Sequence, residues 1–264
     1  MIRKPISTPT RLMLGAAAFA LLVALYAWIS YDVHVENPRN RTVPTLSQFV
    51  EGWRTMLDTE GNVHLGEDLA ASVWRLSLGV LTGVALAFVA GLLMGCFPVA
   101  DAFLGPPIAA FARIPPTAML AVYFVFLSIG GVQIYAALIS LGIFPTLAMA
   151  IAGAARTDVD DHTVDKAYTL GGSSVEVIWN VVLRQILPRI LEAVRLQIGP
   201  AMVFLIAAEW ALADVGFGYT LRIQSRLQNM NIVYTYLAVL AVLGLLLDFG
   251  LVGLRRWLAP WFRA

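Results

Sequence analysis

Few side chains in this sequence are of types that do chemistry, and where they stand narrows what they can do. Glu209 lies about twenty residues past Pro188 inside a long apolar run, a depth at which an ionisable group is costly unless it faces protein or water. Two readings stand for it, a pathway or gate carboxylate and a structural ion pair with a neighbouring helix. Its neighbour Trp210 reads as packing, and Asp214 as a cap or solvated acid at the outer end of the run. Asp248 and Arg255 are seven residues apart, share a helix face and read as a stabilising pair. Arg75, early in another apolar run, reads as a side chain that snorkels to the outer interface. His162 with Asp158, Asp160 and Asp161 could suggest a metal site, but a solvated charge run is the simpler account. No Ser/His/Asp arrangement and no pair of intramembrane carboxylates marks an enzyme. Nor does a G-x-x-x-x-G-K-[ST] loop occur, and the only lysines are Lys4 and Lys166, so the chain has no phosphate cradle of its own. The single cysteine, Cys96, excludes an intrachain disulfide, and His34, His64 and His162 lack zinc-finger spacing.

The elements that must position these groups are membrane helices. With 59% hydrophobic and 13% charged residues over 264 positions and a mean hydropathy of +0.77, a water-soluble fold is excluded. A formal net charge of +1 gives no polybasic footprint, so no nucleic acid is expected as a partner. A spanning helix needs about 20 mostly apolar residues. Six segments qualify, at 12–30, 69–96, 117–129, 133–155, 190–213 and 232–254, the third needing residues before Thr117 to reach full length. The first is too long for the apolar region of a signal peptide and reads as a retained helix. With the N-terminus inside, most basic residues fall on the cytoplasmic side, among them Arg113, Arg156, Lys166, Arg184, Arg189, Arg255 and Arg256. That bias and the even number of crossings put both termini in the cytoplasm. The chain is thus divided into residues 1–68, a first membrane helix and outer connection, and residues 69–264, a five-helix core. Within the outer connection, Leu46, Phe49, Val50, Trp53 and Leu57 have the spacing of one helix face, and an interfacial helix over 46–57 is expected.

One segment, 156–189, does not belong in lipid. Some thirty residues are too long for a tight helix hairpin. Its residues 165–170 read as a short helix, Gly171-Gly172 as a break, and Ser173 or Ser174 as the cap of a second helix. Val175, Ile178, Trp179, Val182 and Leu183 give that second helix an apolar face along the membrane surface. Pro188 fits the entry of the fifth span, where its missing N–H costs nothing. Two short helices flanking a turn are what a membrane subunit would present to a soluble partner that pushes on it. Arg113-Ile114-Pro115-Pro116 reads as a rigid entry to the third span and Gly130-Gly131 as a tight outer turn.

Asp165-Lys166-Ala167, three residues and Gly171 resemble the E-A-A-x-x-x-G signature of the permease subunits of bacterial ABC importers. The likeness continues through T-V-P-T-L-S at Thr42, S-V-W-R-L at Ser72, R-I-P-P-T-A at Arg113, A-A-E-W at Ala207, V-G-F-G-Y at Val215 and L-D-F-G-L-V-G-L-R-R at Leu247. This ordered set is similar to the branch that imports nitrate, sulfonate, taurine and related compounds. Aspartate replaces the signature's glutamate, Lys166 its first alanine, and Arg184 stands where I-x-L-P usually has proline. The resemblance implies an all-α integral membrane protein of the type I ABC importer permease fold, six transmembrane helices with a cytoplasmic coupling-helix loop between helices 4 and 5. It implies ATPase coupling through Asp165, Lys166, Ala167, Gly171, Gly172, Val181, Leu183 and Pro188, and translocation-pathway candidates Gln197, Phe204, Glu209 and Trp210 on the fifth span. The implied partners are a cytoplasmic ATP-binding cassette ATPase dimer, an extracytoplasmic solute-binding protein and a second permease subunit, expected as a homodimer, in the bacterial cytoplasmic (inner) membrane. The chain itself would carry no cofactor, ATP being bound by the partner. Gly216 and Gly218 would shape a re-entrant outer loop or let it approach the binding protein. The alternative is an ion-gradient-driven secondary transporter with Glu209 and Asp248 as proton carriers, which calls for an inverted repeat that the sequence does not display. A membrane-embedded enzyme using Glu209 and Asp214 would need a nucleophile or metal set that is not seen.

Overall fold

The computed structural model describes residues 7–37, 40, 42–57, 64–119, 122, 123, 125 and 131–261, and the described elements are helical. In chain order they are α1 (Thr8–Glu36), α2 (Leu46–Leu57), α3 (Leu65–Cys96), α4 (Pro98–Phe111), α5 (Val132–Thr157), α6 (Asp161–Thr169), α7 (Ser174–Val177), a π-helical turn (Ile178–Val182), α8 (Leu183–Leu212), α9 (Phe217–Arg226) and α10 (Met230–Leu258). Among the described residues five helices are long and apolar enough to cross a membrane: Pro9–Glu36, Leu65–Cys96, Val132–Thr157, Ser174–Leu212 and Met230–Leu258. Of the third expected span, 117–129, residues 117–119 form turns and most of the rest lies outside the described residues, so five of the six expected crossings are seen. Gly130 also lies outside them, whereas Gly131, at φ +68°, stands at the start of α5.

The chain divides into two compact units. In the first, Met1–Leu65 with Leu221–Ala238, α1 is capped by Ser7, whose hydroxyl accepts from the Thr10 N–H. Tyr26 and Ser30 on α1 both donate to the Pro44 carbonyl, at 2.8 and 3.2 Å, which fixes where the chain turns towards α2. That helix occurs at the expected 46–57, opened by a reciprocal cap in which the Gln48 N–H donates to Thr45 Oγ1 and the Thr45 N–H to Gln48 Oε1. It is amphipathic as its spacing requires, with Leu46 and Val50 exposed and Met56 buried.

In the second unit, Gly66–Thr220 with Val239–Ala264, the core is built on a seam of small residues. On α3, Gly79, Gly83, Ala87, Gly91 and Gly95 recur every four residues and so lie on one helix face. A Cβ on Gly79, Gly83, Gly91 or Gly95 would lie 2.5–2.7 Å from Ile139, Ile143, Ile151 or Ala155 of α5, which are spaced the same way. The backbones therefore meet closely enough that only hydrogen fits, the usual device for helix contact where no hydrophobic drive exists. Behind this seam, Ile139, Ile143, Ala201 and Leu205 bring α8 onto α5, with Phe204 lying over Gly142. Helix α4 follows α3 after Phe97, with Pro98 in its first turn, where a missing N–H costs no bond. Arg156 ties the ends of α3, α4 and α5 by donating to the Met94 carbonyl at 3.0 Å and to Asp101.

Candidate functional site

Four places in the second unit hold most of the sequence candidates: a hairpin, a cavity, a buried polar network and a ladder of ion pairs. The hairpin starts with α6 and ends in a two-bond C-terminal cap. The Gly171 N–H donates to the Tyr168 carbonyl at 2.9 Å and the Gly172 N–H to the Ala167 carbonyl at 3.1 Å, satisfying carbonyls that the helix leaves open. Such a cap needs a left-handed residue just past the helix, and Gly171 supplies it at φ +87°. Ser173 then caps the next helix, its hydroxyl accepting from the Glu176 N–H while Glu176 Oε2 accepts from the Ser173 N–H at 2.9 Å. The expected turn and serine cap are thus present.

The second arm differs from expectation. Instead of a separate surface helix followed by a fresh membrane helix, α7, the π turn and α8 run as one helical rod from Ser174 to Leu212. The Leu183 N–H reaches back five residues to the Ile178 carbonyl, widening the helix by one residue at that point. Pro188 is accordingly not at a helix entry: it lies inside α8 and is buried. The sequence could not distinguish the two because an interior proline is tolerated when neighbouring helices enclose it. The apolar spacing of the second arm is split between two environments. Val177, Val182 and Ile186 are buried in the bundle, whereas Val175 and Trp179 are exposed, along with Tyr168 and Leu170 across the turn. Leu170 at the tip is 89% exposed. Ala167, Gly171, Gly172 and Val181 border one shallow groove with Glu176 and Asn180, Asp165 and Lys166 are exposed on α6, and Leu183 packs on the core beneath. Asp158 and Arg189 close the base at 3.1 Å.

The cavity has a volume of about 510 Å³ and is lined by Phe111, Ala112, Ile114, Pro116, Met119, Tyr123, Leu141, Gly142, Phe144, Pro145, Thr146, Gln197, Pro200 and Phe204. Two of the four pathway candidates, Gln197 and Phe204, face it; Glu209 and Trp210 do not line it. Its described lining is aromatic and aliphatic, with the Gln197 amide, the Thr146 hydroxyl and the Tyr123 phenol as polar side chains and no charge.

Glu209 sits instead in a network among α3, α8 and the turn before α9. Fully buried, it accepts from Ser72 Oγ at 2.8 Å, from Arg75 Nη1 at 2.8 Å and from the Gly218 N–H at 2.9 Å. Arg75 does not snorkel to the interface. Its side chain is 12% exposed, it donates also to the Val215 carbonyl at 2.6 Å, and its guanidinium lies 4.2 Å over the Tyr135 ring. An arginine that early in a span reaches inward when a buried carboxylate waits for it, since leaving that charge unpaired costs more than withdrawing the guanidinium from water. Asp68, also buried, accepts from the Gly216 N–H at 2.7 Å and from Thr220 Oγ1 at 2.6 Å, and Ser72 Oγ accepts from the Phe217 N–H at 3.0 Å. Gly216 is at φ +126°, and a Cβ there would meet Glu209 Oε1 at 2.6 Å, so the turn is shaped against the carboxylate. Asp214 is exposed.

Asp248 and Arg255 do not pair with each other. Seven residues of helix rise about 10 Å, too far for contact. Each finds its partner on α8: Arg195 Nη2 meets Asp248 Oδ2 at 2.9 Å, Arg255 Nη1 meets Glu192 Oε2 at 2.7 Å, and Arg195 bridges to Glu192 at 3.1 Å. The sequence flagged the two ends of this ladder and missed its middle rungs, Glu192 and Arg195, whose signal was two opposite charges three residues apart in an apolar helix.

A family described as binding-protein-dependent transport system inner membrane component matches residues 78–264. The chain is 30% identical to the taurine transport system permease protein TauC of Escherichia coli, over 98% of this chain and 92% of that one. It is 28% identical to the putative aliphatic sulfonates transport permease protein SsuC of Bacillus subtilis, over 73% of this chain and 69% of that one. Among solved structures, a chain of the inward-facing MetNI methionine ABC transporter superposes with a TM-score of 0.60 at 16% identity, covering 81% of this chain and 99% of that one.

Proposed function

The chain belongs to the family of binding-protein-dependent transport system inner membrane components and is a permease subunit of an ABC importer, and from that premise we propose how its parts divide the work. The hairpin of α6 and α7 is the coupling element, seated in a separate ATP-binding cassette ATPase that supplies all hydrolysis. Leu170, Val175 and Trp179 are the apolar knobs it offers, with Asp165, Lys166, Ala167, Gly171, Gly172 and Val181 shaping the contact and Leu183 and Pro188 anchoring it to the bundle. Two permease copies, two ATPases and an extracytoplasmic binding protein complete the importer, in the bacterial inner membrane with both termini cytoplasmic. The permease stores no energy; partners with different affinity for its inward- and outward-open states shift it between them.

The cavity bearing Gln197 and Phe204 is the translocation pathway of one subunit. A lining of rings and aliphatic groups, with an amide and hydroxyls to meet a polar group in passing and no charged side chain to trap it, suits the brief passage of a small organic solute of the sulfonate or taurine kind rather than its tight binding. The ion-gradient alternative loses its carriers, because Glu209 and Asp248 are both held by arginines.

The observation that carries this reading is an exposed apolar tip on a doubly capped turn that continues into a membrane helix. Leu170→Asp tests it. The substitution touches no core residue, so the permease is expected to purify with unchanged thermal stability. It should no longer retain the ATPase, and ATP-driven uptake into proteoliposomes should fall at least about tenfold, as for the loss of a buried apolar anchor. Full retention of the ATPase would overturn the assignment.

A further inference from the structure

We propose that Asp68, Ser72, Arg75 and Glu209 are positioning residues of a latch at the outer end of the transporter. They hold the turn at residues 213–218 in this state and release it when the coupling hairpin is displaced. The proposal rests on the reading of the hairpin as the ATPase contact.

Three consecutive backbone N–H groups at the start of α9, those of Gly216, Phe217 and Gly218, each donate to a side chain of another helix: Asp68 and Ser72 of α3 and Glu209 of α8. A helix start is ordinarily satisfied by one side chain of its own segment. Here the carboxylates of α3 and α8 take the place that water or a local cap would fill, and Thr220 adds a fourth bond to Asp68. Because both acids are buried, breaking one bond strands a polar group at high cost. The set therefore holds together or opens together, giving the two discrete arrangements that a switch requires. There is no slack between turn and carboxylate, since even a Cβ on Gly218 would come within 2.6 Å of Glu209 Cβ.

Mechanical access comes from the rod. Glu209 is in the last turn of the helix that begins at Ser174, beside the hairpin tip. Thirty-nine residues at about 1.5 Å each give a rod roughly 58 Å long, with the ATPase contact at one end and the latch at the other. A shift or tilt imposed on Ser174 moves Glu209 and the turn that follows it relative to α3, and the bonds of Gly216 and Phe217 to Asp68 and Ser72, with those of Ser72 and Arg75 to Glu209, are then lost together.

Hydrogen–deuterium exchange on the complete transporter in nanodiscs reads both ends at once, with the unmodified chain. Peptides covering 163–176 report the hairpin and peptides covering 213–220 report the latch, for permease alone, with nucleotide-free ATPase, and with ATP and vanadate. Expected is protection of the hairpin whenever the ATPase is present, and exchange of the 216–218 amides at least about tenfold faster in the vanadate-trapped state than in the nucleotide-free one. A protected hairpin with 216–218 equally slow in both states overturns the latch and leaves the ATPase contact standing. A hairpin that the ATPase never protects removes the contact, and the latch with it. As a second measurement, Ser72→Ala removes the bond to Glu209 and the acceptor of the Phe217 N–H while leaving the Arg75 to Glu209 pair. It should raise ATP hydrolysis in the absence of binding protein with the complex assembled as before, and unchanged hydrolysis counts against the latch.

Discussion

Arg75 is where burial and charge meet most sharply. Taking away the guanidinium leaves Glu209 as a buried carboxylate with only hydroxyl and amide donors, a loss of about 3–5 kcal/mol for pairs of this kind. Arg75→Leu is therefore expected to lower the melting temperature of the purified permease strongly, and Arg75→Leu with Glu209→Gln, which removes the charge but keeps an acceptor for Ser72 and Gly218, to recover part of that loss. A double variant no more stable than the single one would show that the charge pair is not the reason. Glu209 itself was legible as a residue needing a partner, because a carboxylate deep in an apolar run has few affordable states. Its partner was not. Arg75 stands 134 positions away, and a sequence gives the depth of a side chain in its span without giving the direction it faces. The same gap hid the partners of Asp248 and Arg255, which lie on a different helix from the one that made them look like a pair.

At the level of helices, legibility followed how local the determinants are. The hairpin turn was readable because Gly171 and Ser173 act within their own few residues, the first through left-handed backbone and the second through its reciprocal bond with Glu176. The seam between α3 and α5 was written just as openly, in small residues at every fourth position from Gly79 to Gly95, yet it means something only beside Ile139, Ile143 and Ile151. Helix α4, between the second and third expected spans, had no counterpart in the span pattern; it holds Pro98 in its first turn, where a proline starts a helix readily, and Pro106 and Pro107 further in. The seam yields a sharp contrast. Gly91→Leu drives a side chain into Ile151 and the Ala148 carbonyl, and overpacking of this sort costs upwards of 1–3 kcal/mol. Gly15→Leu on α1 meets nothing within 4 Å. Size-exclusion profiles should show Gly91→Leu aggregated or depleted and Gly15→Leu like the parent.

For the molecule as a whole, composition and span pattern were enough for a helical membrane protein, the ordered motifs added the permease fold by resemblance, and the charge bias proposes its direction in the bilayer. Direction is testable at the tip. With Cys96→Ser as background, Ser173→Cys should react with a membrane-impermeant maleimide in inverted vesicles and stay unlabelled in intact cells; the reverse result would turn the chain over. What no pattern foretold is that the tip belongs to the same rod as the fifth span, since Pro188 reads as a boundary wherever the helices that enclose it are unseen. The wide turn at Ile178–Val182 gives that rod an unusual tolerance. One surplus residue is absorbed there without rotating what lies on either side, so shortening the chain by Asn180 should tighten the turn to ordinary α-helical winding and keep the tip facing as before, with uptake preserved. Removing Gln185 instead, where no surplus exists, should swing the tip about 100° around the helix axis and leave the importer assembled wrongly or not at all. The wide turn is thus a register adjuster: a place where insertions and deletions can accumulate while the two ends of the lever stay in phase.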